Sequence, residues 1–132
     1  MKKEEYKRKN EEFLQELAGK EEVLSLPCGV LYTILISGNG KMPPKPNSIV
    51  SVHYRGSLID GKEFDNSYTR NCPEAFRLNE VIEGWQQALQ QMHVGDKWII
   101  YIPYTLGYGK RTCGSIPAFS TLIFEVELLG IG

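Results

Sequence analysis

The chain has 132 residues, 42% of them hydrophobic, and its 15 Lys and Arg nearly balance its 16 Asp and Glu. That length suits one domain with a single core, large enough to fold without disulfide or metal staples. Near-neutral charge gives no reason to expect nucleic acid, and the longest nearly uncharged apolar stretch, Trp98 to Leu106, is broken by Pro103 and far short of the roughly 20 residues a bilayer span needs.

The neutral total hides two unlike parts. Residues 1–22 hold six Lys/Arg and seven Asp/Glu, 13 of the chain's 31 charged groups. Such density predicts a solvated helix appended to a body spanning 23–132. Tyr6, Phe13, Leu14 and Leu17 recur at helical spacing and form a narrow apolar stripe that ends near Gly19. The stripe must cover either the body of the same chain or a second copy in a homodimer formed through residues 2–18. No apolar h-region follows Lys2, Lys3, Glu4 and Glu5, so the chain as written is expected in the cytoplasm. A removed signal peptide would instead make it periplasmic or associated with an outer membrane.

In the body, Val30 to Ile36 is rich in strand formers, and Ser37-Gly38-Asn39-Gly40 closes it as a turn. Pro43, Pro44 and Pro46 keep the next stretch out of the sheet. From Ile49 to Leu58 the chain alternates, with Val50, Val52 and Tyr54 on one face and Ser51, His53 and Arg55 on the other. Asp60-Gly61 then reads as a hairpin turn into Lys62-Glu63-Phe64-Asp65. A helix is predicted over Asn79–Met92, capped by Asn79, with Ile82, Trp85, Leu89 and Met92 on one face and Gly95 placed to end it. Lys97–Ile102 and Leu122–Leu129 read as strands; in the second, Leu122, Phe124, Val126 and Leu128 point inward against Glu125 and Glu127. Four or five antiparallel strands with one helix make an α+β domain whose sheet half-wraps that helix.

The common catalytic constellations are poorly represented. His53 and His93 lack partners at metal-ligand spacing, so no metal is expected, and Gly107-Tyr-Gly109 does not open a helix as a phosphate loop requires. Cys28, Cys72 and Cys113 are an odd number without CxxC spacing; they are idle thiols, or Cys72 and Cys113 form a bridge. Aromatic side chains do gather where strands stop: Tyr54, Phe64, Trp85, Tyr104, Tyr108 and Phe119. These are ordinary core or, with the single carboxylate Asp65 beside Phe64, the lining of an apolar pocket.

Several of these residues fall into a recognisable order. Val52-His53-Tyr54-x-Gly56, Leu58-x-Asp60-Gly61-Lys62-x-Phe64-Asp65-Asn66-Ser67, Val81-Ile82-x-Gly84-Trp85, Met92-x-Val94-Gly95, Pro103-x-x-x-x-Tyr108-Gly109, Ile116-Pro117 and Thr121-Leu122-Ile123-Phe124-x-Val126-Glu127-Leu128 together span about residues 25 to 130. This pattern resembles the FKBP-type peptidyl-prolyl cis-trans isomerases. The lead-in Leu26-Pro27-Cys28-Gly29-Val30-Leu31-Tyr32, with the charged helix before it, is similar to the bacterial branch related to macrophage infectivity potentiators. The resemblance implies an antiparallel sheet of about five strands curled around a short helix, with a proline pocket between them, no cofactor, and proline-containing polypeptides as substrates.

By the same resemblance, Trp85 is the pocket floor, and Tyr54, Phe64, Val81, Ile82, Ile116 and Phe124 bind the substrate around it. Tyr108 offers its hydroxyl and Ile82 its backbone N–H to peptide carbonyls. Asp65 is the pocket carboxylate, supported by Tyr54 and Arg70; Asp65, Tyr108, Phe64 and Trp85 are the catalytic set. Macrolides of the tacrolimus and rapamycin type are implied ligands as well, but the rim departs from the family pattern. The stretch from Pro73 to Val81 is about two residues short, with Glu74 or Ala75 in place of a guarding aromatic; the 110–115 loop is about one residue short, with Ser115 replacing an aliphatic; and Thr105 stands where an acidic residue is frequent. A more polar rim is expected, weakening macrolide affinity and admitting polar residues before proline. The competing classes are a non-catalytic chaperone or peptide-binding module with the same fold, and a structural dimerisation protein.

Overall fold

The computed structural model describes residues 2–132. It holds two α-helices, α1 (Lys3–Ala18) and α2 (Glu83–Leu89), and seven strands: β1 (Leu24–Ser25), β2 (Leu31–Ile36), β3 (Ile49–Ser57), β4 (Glu63–Asn66), β5 (Glu74–Arg77), β6 (Lys97–Ile102) and β7 (Leu122–Ile131). The five strands expected from alternation are present, and two short ones, β1 and β5, are added.

All pairings are antiparallel, in the order β1-β2-β6-β7-β3-β4, with β5 also on β3. One edge of β3 pairs with β7 along its length. The other edge is shared: β5 takes residues 49–52 and β4 takes 55–57. The alternation in β3 sends Val50, Val52, Tyr54 and Gly56 inward, and that in β7 sends Leu122, Phe124, Val126 and Leu128 inward, as their spacing dictates. These faces close over α2, whose Trp85, Ala88 and Leu89 are buried in the same core as Ile100, Ile102 and Met92. Gly84 lets helix and sheet approach closely, since a Cβ there would stand 2.5 Å from Ile102 Cγ2.

The helix is half as long as predicted. Leu78–Glu80 form a single 3₁₀ turn, and Val81 and Ile82 are extended (ψ 172° and 151°) before α2 starts at Glu83. Asn79 therefore caps nothing, and the Ile82 carbonyl accepts from the N–H groups of Trp85 and Gln86 instead. Two β-branched residues prefer this extended geometry, and both line the cleft between helix and sheet. At the far end the chain leaves the helix at Gln90, and Gly95 belongs to the following turn, donating to Leu128 O at 2.8 Å.

The N-terminal stripe covers the body of the same chain. Leu17 is buried, Phe13 packs on Tyr101 with ring centroids 6.4 Å apart, and the Lys7 ammonium lies over the Phe119 ring. Asn10, an amide amid the charged residues of α1, is buried and accepts the Thr121 N–H at 2.7 Å.

Candidate active site

A cleft of about 420 Å³ opens between α2 and the concave face of the sheet. Its floor is the Trp85 indole, 4% exposed. Three rings stand edge-on to that indole: Tyr54 at 5.2 Å and 86°, Phe124 at 5.2 Å and 87°, and Phe76 at 5.6 Å and 87°. Phe64 continues the wall, edge-on to Phe124 at 5.5 Å. Such T-shaped contacts present positive ring edges to negative ring faces and lock the rings in place. Val81 and Ile82, on the extended segment before α2, close one side; Tyr108, Asp65 and Glu80 supply polar atoms at the mouth.

Gly56 explains how two aromatic walls fit beside the floor. It pairs with both Phe124 and Asp65 across the sheet, and the space its Cβ would take is filled by the rings of Phe124 and Phe64.

Asp65 is held from several directions. The Tyr54 hydroxyl donates to Oδ2, while Oδ1 accepts from Arg70 at 2.6 Å and from the Asn66 N–H at 2.9 Å. Arg70 also donates to the Tyr54 hydroxyl at 3.4 Å and pairs with Glu74 at 3.4 Å. Burial pushes the Asp65 pKa up, but the hydrogen bonds from Tyr54 and Arg70, with the Arg70 charge, outweigh it and hold the carboxyl below its ordinary range. Tyr54 is pushed up to about 12, by burial first and the adjacent carboxylate second. Tyr108 is also raised, chiefly by burial. At neutral pH the cleft therefore carries one fixed carboxylate and two neutral phenols. The Ile82 N–H donates to no group among the described residues and stands at the α2 entrance.

Tyr54, Phe64, Asp65, Val81, Ile82, Trp85, Tyr108 and Phe124 thus come together around one cavity, with Arg70 behind Asp65. Ile116 does not join them. The short 110–115 loop closes as an isolated bridge, Cys113 and Ile116 exchanging both backbone hydrogen bonds at 2.9 Å, and Ile116 packs into the core at 7% exposure. Two lining residues, Phe76 and Glu80, were not foreseen. Phe76 overturns the expected loss of apolar cover: β5 pairs Val50 with Phe76, which carries this aromatic to the cleft side of the edge, so the guarding ring is present a position or two after Glu74 and Ala75. Its signal was the alternation in Glu-Ala-Phe-Arg, too short to read as a strand. The three cysteines are exposed and unpaired, so the structure holds no Cys72–Cys113 bridge. No group of three metal-ligating side chains gathers among the described residues, and no helix is long and apolar enough to cross a membrane.

The described residues thus form a curled antiparallel sheet closed over one short helix, with an aromatic cleft and one anchored carboxylate at its mouth. The chain belongs to the FKBP-type peptidyl-prolyl cis-trans isomerase family, whose profile matches residues 40–129. It is 49% identical over 120 residues to the FKBP-type 22 kDa peptidyl-prolyl cis-trans isomerase of Escherichia coli, covering 90% of this chain and 58% of that one. A crystal structure of a peptidyl-prolyl cis-trans isomerase from Pseudomonas syringae superposes with a TM-score of 0.91 at 38% identity, covering all of this chain and 97% of that one. The outer membrane protein MIP of Legionella longbeachae is 39% identical over 131 residues, 98% of this chain and 56% of its own length. The chain spans about half the length of the curated relatives it matches. The expected cytoplasmic location finds no support among them.

Proposed function

We propose that this chain catalyses cis-trans isomerisation of X-Pro peptide bonds in polypeptide substrates, seating the proline ring on Trp85. The observation that carries this reading is the combination of a preformed ring-lined cleft with a few fixed polar groups at its mouth and nothing suited to covalent chemistry. Rotation about a peptide bond faces a barrier of roughly 18–20 kcal/mol because the C–N bond has partial double-bond character, while X-Pro bonds populate both isomers. Water stabilises the dipolar planar amide more than the twisted one. Transfer of the amide to an aromatic cleft therefore raises the ground state relative to the twisted transition state, and no nucleophile is needed. Phe64, Tyr54, Phe76 and Phe124 hold the ring, while the Ile82 N–H and Tyr108 hydroxyl bind flanking carbonyls. Asp65, kept ionised and immobile by Tyr54 and Arg70, sets the field on the rotating carbonyl without reorganising.

A protease-coupled assay on Leu-Pro and Phe-Pro peptides tests this, with and without tacrolimus. Catalysis that falls at least tenfold in Trp85→Ala or Phe64→Ala, with circular dichroism unchanged, supports the enzyme. Binding of proline peptides with no turnover by the unaltered chain would leave the non-catalytic chaperone. We place the protein outside the cytoplasm, on the support of the relative named as an outer membrane protein; fractionation of the native cell tests this. We further propose that the chain is a monomer, because α1 already spends its apolar stripe on the body.

A further inference from the structure

Helix α1 meets the body at residues 119–121, among other places, and that stretch is bonded to the loop carrying Tyr108. Asn10 is 1% exposed, and its Nδ2 donates to the Tyr6 carbonyl at 2.8 Å, which turns Oδ1 toward the Thr121 N–H at 2.7 Å. One turn earlier, the Tyr6 hydroxyl lies 2.8 Å from Ser120 Oγ. Ser120 spends its single proton on the Pro117 carbonyl at 2.7 Å, so Tyr6 is the donor to Ser120. Immediately before these anchors sits Phe119, a non-glycine residue at φ 65°. Residues in that left-handed region are strained and persist only where their surroundings over-determine them. Here Lys7 of α1 covers one part of the ring at 5.4 Å, and Tyr104 meets it edge-on at 5.0 Å. The Phe119 N–H donates to Gly109 O at 3.0 Å, and the Gly109 N–H returns to Tyr104 O at 2.9 Å. Gly109 follows Tyr108 directly, and Tyr108, 41% exposed, lines the cleft.

We propose that α1 is part of the catalytic unit: Asn10 and Tyr6 are positioning residues that clamp the strained Phe119–Thr121 segment and, through Gly109, hold the Tyr108 hydroxyl where it meets the peptide. The substrate it serves rests on the isomerase reading above; the clamp itself does not. Amide exchange of the full chain therefore accompanies kinetics. The variants are Asn10→Ala, which removes the acceptor; Asn10→Asp, which keeps one; Tyr6→Phe, which keeps the ring and loses the donor; and Arg8→Ala, on the exposed face of α1, as control.

The clamp predicts that Asn10→Ala and Tyr6→Phe speed exchange at Gly109 and Phe119 by about tenfold or more, while amides in the centre of β3 and β6 stay as in the unaltered chain. KM for a Leu-Pro peptide then rises several-fold with kcat within about twofold, because a loosened binding donor is lost from ground and transition states alike. Asn10→Asp recovers part of both effects, and Arg8→Ala changes neither. Unchanged exchange at Gly109 and Phe119, or an equal rise throughout β3 and β6, overturns the clamp. If the unaltered chain fails to turn over any X-Pro peptide, the isomerase reading falls, and the exchange pattern still decides the clamp.

Discussion

Replacing Gly56 by alanine should separate activity from stability. A Cβ at Gly56 would lie 2.7 Å from Phe124 Cε1, 2.7 Å from Phe64 Cζ and 2.8 Å from Phe64 Cε1, against ordinary contacts of 3.4–4 Å. One or both rings must retreat by about 1 Å to restore normal packing. Phe124 is 4% exposed and wedged against Trp85 and Tyr54, so the half-buried Phe64 yields, and because it lines the cleft its retreat reshapes the wall. A displacement of about 1 Å in a group that positions substrate costs on the order of 10- to 100-fold in rate, or about 1.4–2.7 kcal/mol of transition-state stabilisation. The stability change is small. Overpacking costs about 1 kcal/mol where a ring can swing outward, and Gly56, which lacks a positive φ, recovers about 0.4–1 kcal/mol from the reduced entropy of the unfolded chain. The Gly56→Ala protein should therefore melt within about 5 °C of the parent and lose at least tenfold in kcat/KM in the protease-coupled assay. Activity within twofold of the parent would refute the reasoning. So would a drop in melting temperature above about 10 °C, which would mean the sheet absorbs the strain instead of the wall.

Asp65→Asn should lower kcat/KM about tenfold at pH 7, because a fixed charge-assisted network becomes a neutral one. The folded pKa of Asp65 lies below its ordinary value, so the stability it contributes is fully present above about pH 4 and is lost as pH falls through the depressed value. Urea unfolding from pH 8 to pH 3 should show a constant gap between parent and Asp65→Asn down to about pH 4 and a narrowing gap below; a gap that widens on acidification contradicts the assignment. Sedimentation velocity of the full chain should give a species near 15.0 kDa, and one of twice that mass at all concentrations would show that α1 serves a partner. Thiol titration of the native protein without reductant should count three accessible sulfhydryls, one for each exposed cysteine; a count of one would reveal a disulfide.

The parts of the fold that were legible in the sequence are those where burial is periodic. In β3 and β7 every second residue is inward, so Tyr54 and Phe124 could be assigned to the core side before any coordinates. The floor and most of the wall followed from the order of Tyr54, Phe64, Asp65, Val81, Ile82, Trp85 and Tyr108 along the chain. The errors lie where pairing with another segment, rather than local pattern, decides the conformation. Phe76 sits on a four-residue strand that exists only because β3 has a free edge beside residues 49–52. Helical periodicity ran on through Val81 and Ile82, although both adopt the extended geometry that points them at the cleft. The backbone bridge between Cys113 and Ile116 is likewise announced by no spacing. Asn10 is the clearest case: an amide among charged residues reads as solvated until its one tertiary hydrogen bond is seen.

The position of β7 bears on how the protein comes into being. Strand β7 is the last element along the chain, yet it lies in the middle of the sheet, flanked by β6 and by β3, which begins at Ile49. On a ribosome the two flanking strands emerge before β7 and have no common neighbour, so neither the concave face nor the Phe124 wall can form until Leu122–Ile131 are free. A nascent chain halted before Leu122 has its other six strands in two groups of three, β1-β2-β6 and β3-β4-β5, with nothing to join them, and an open indole where the cleft should be. A frameshift or proteolytic nick within β7 should consequently produce an aggregating fragment instead of a weakened domain.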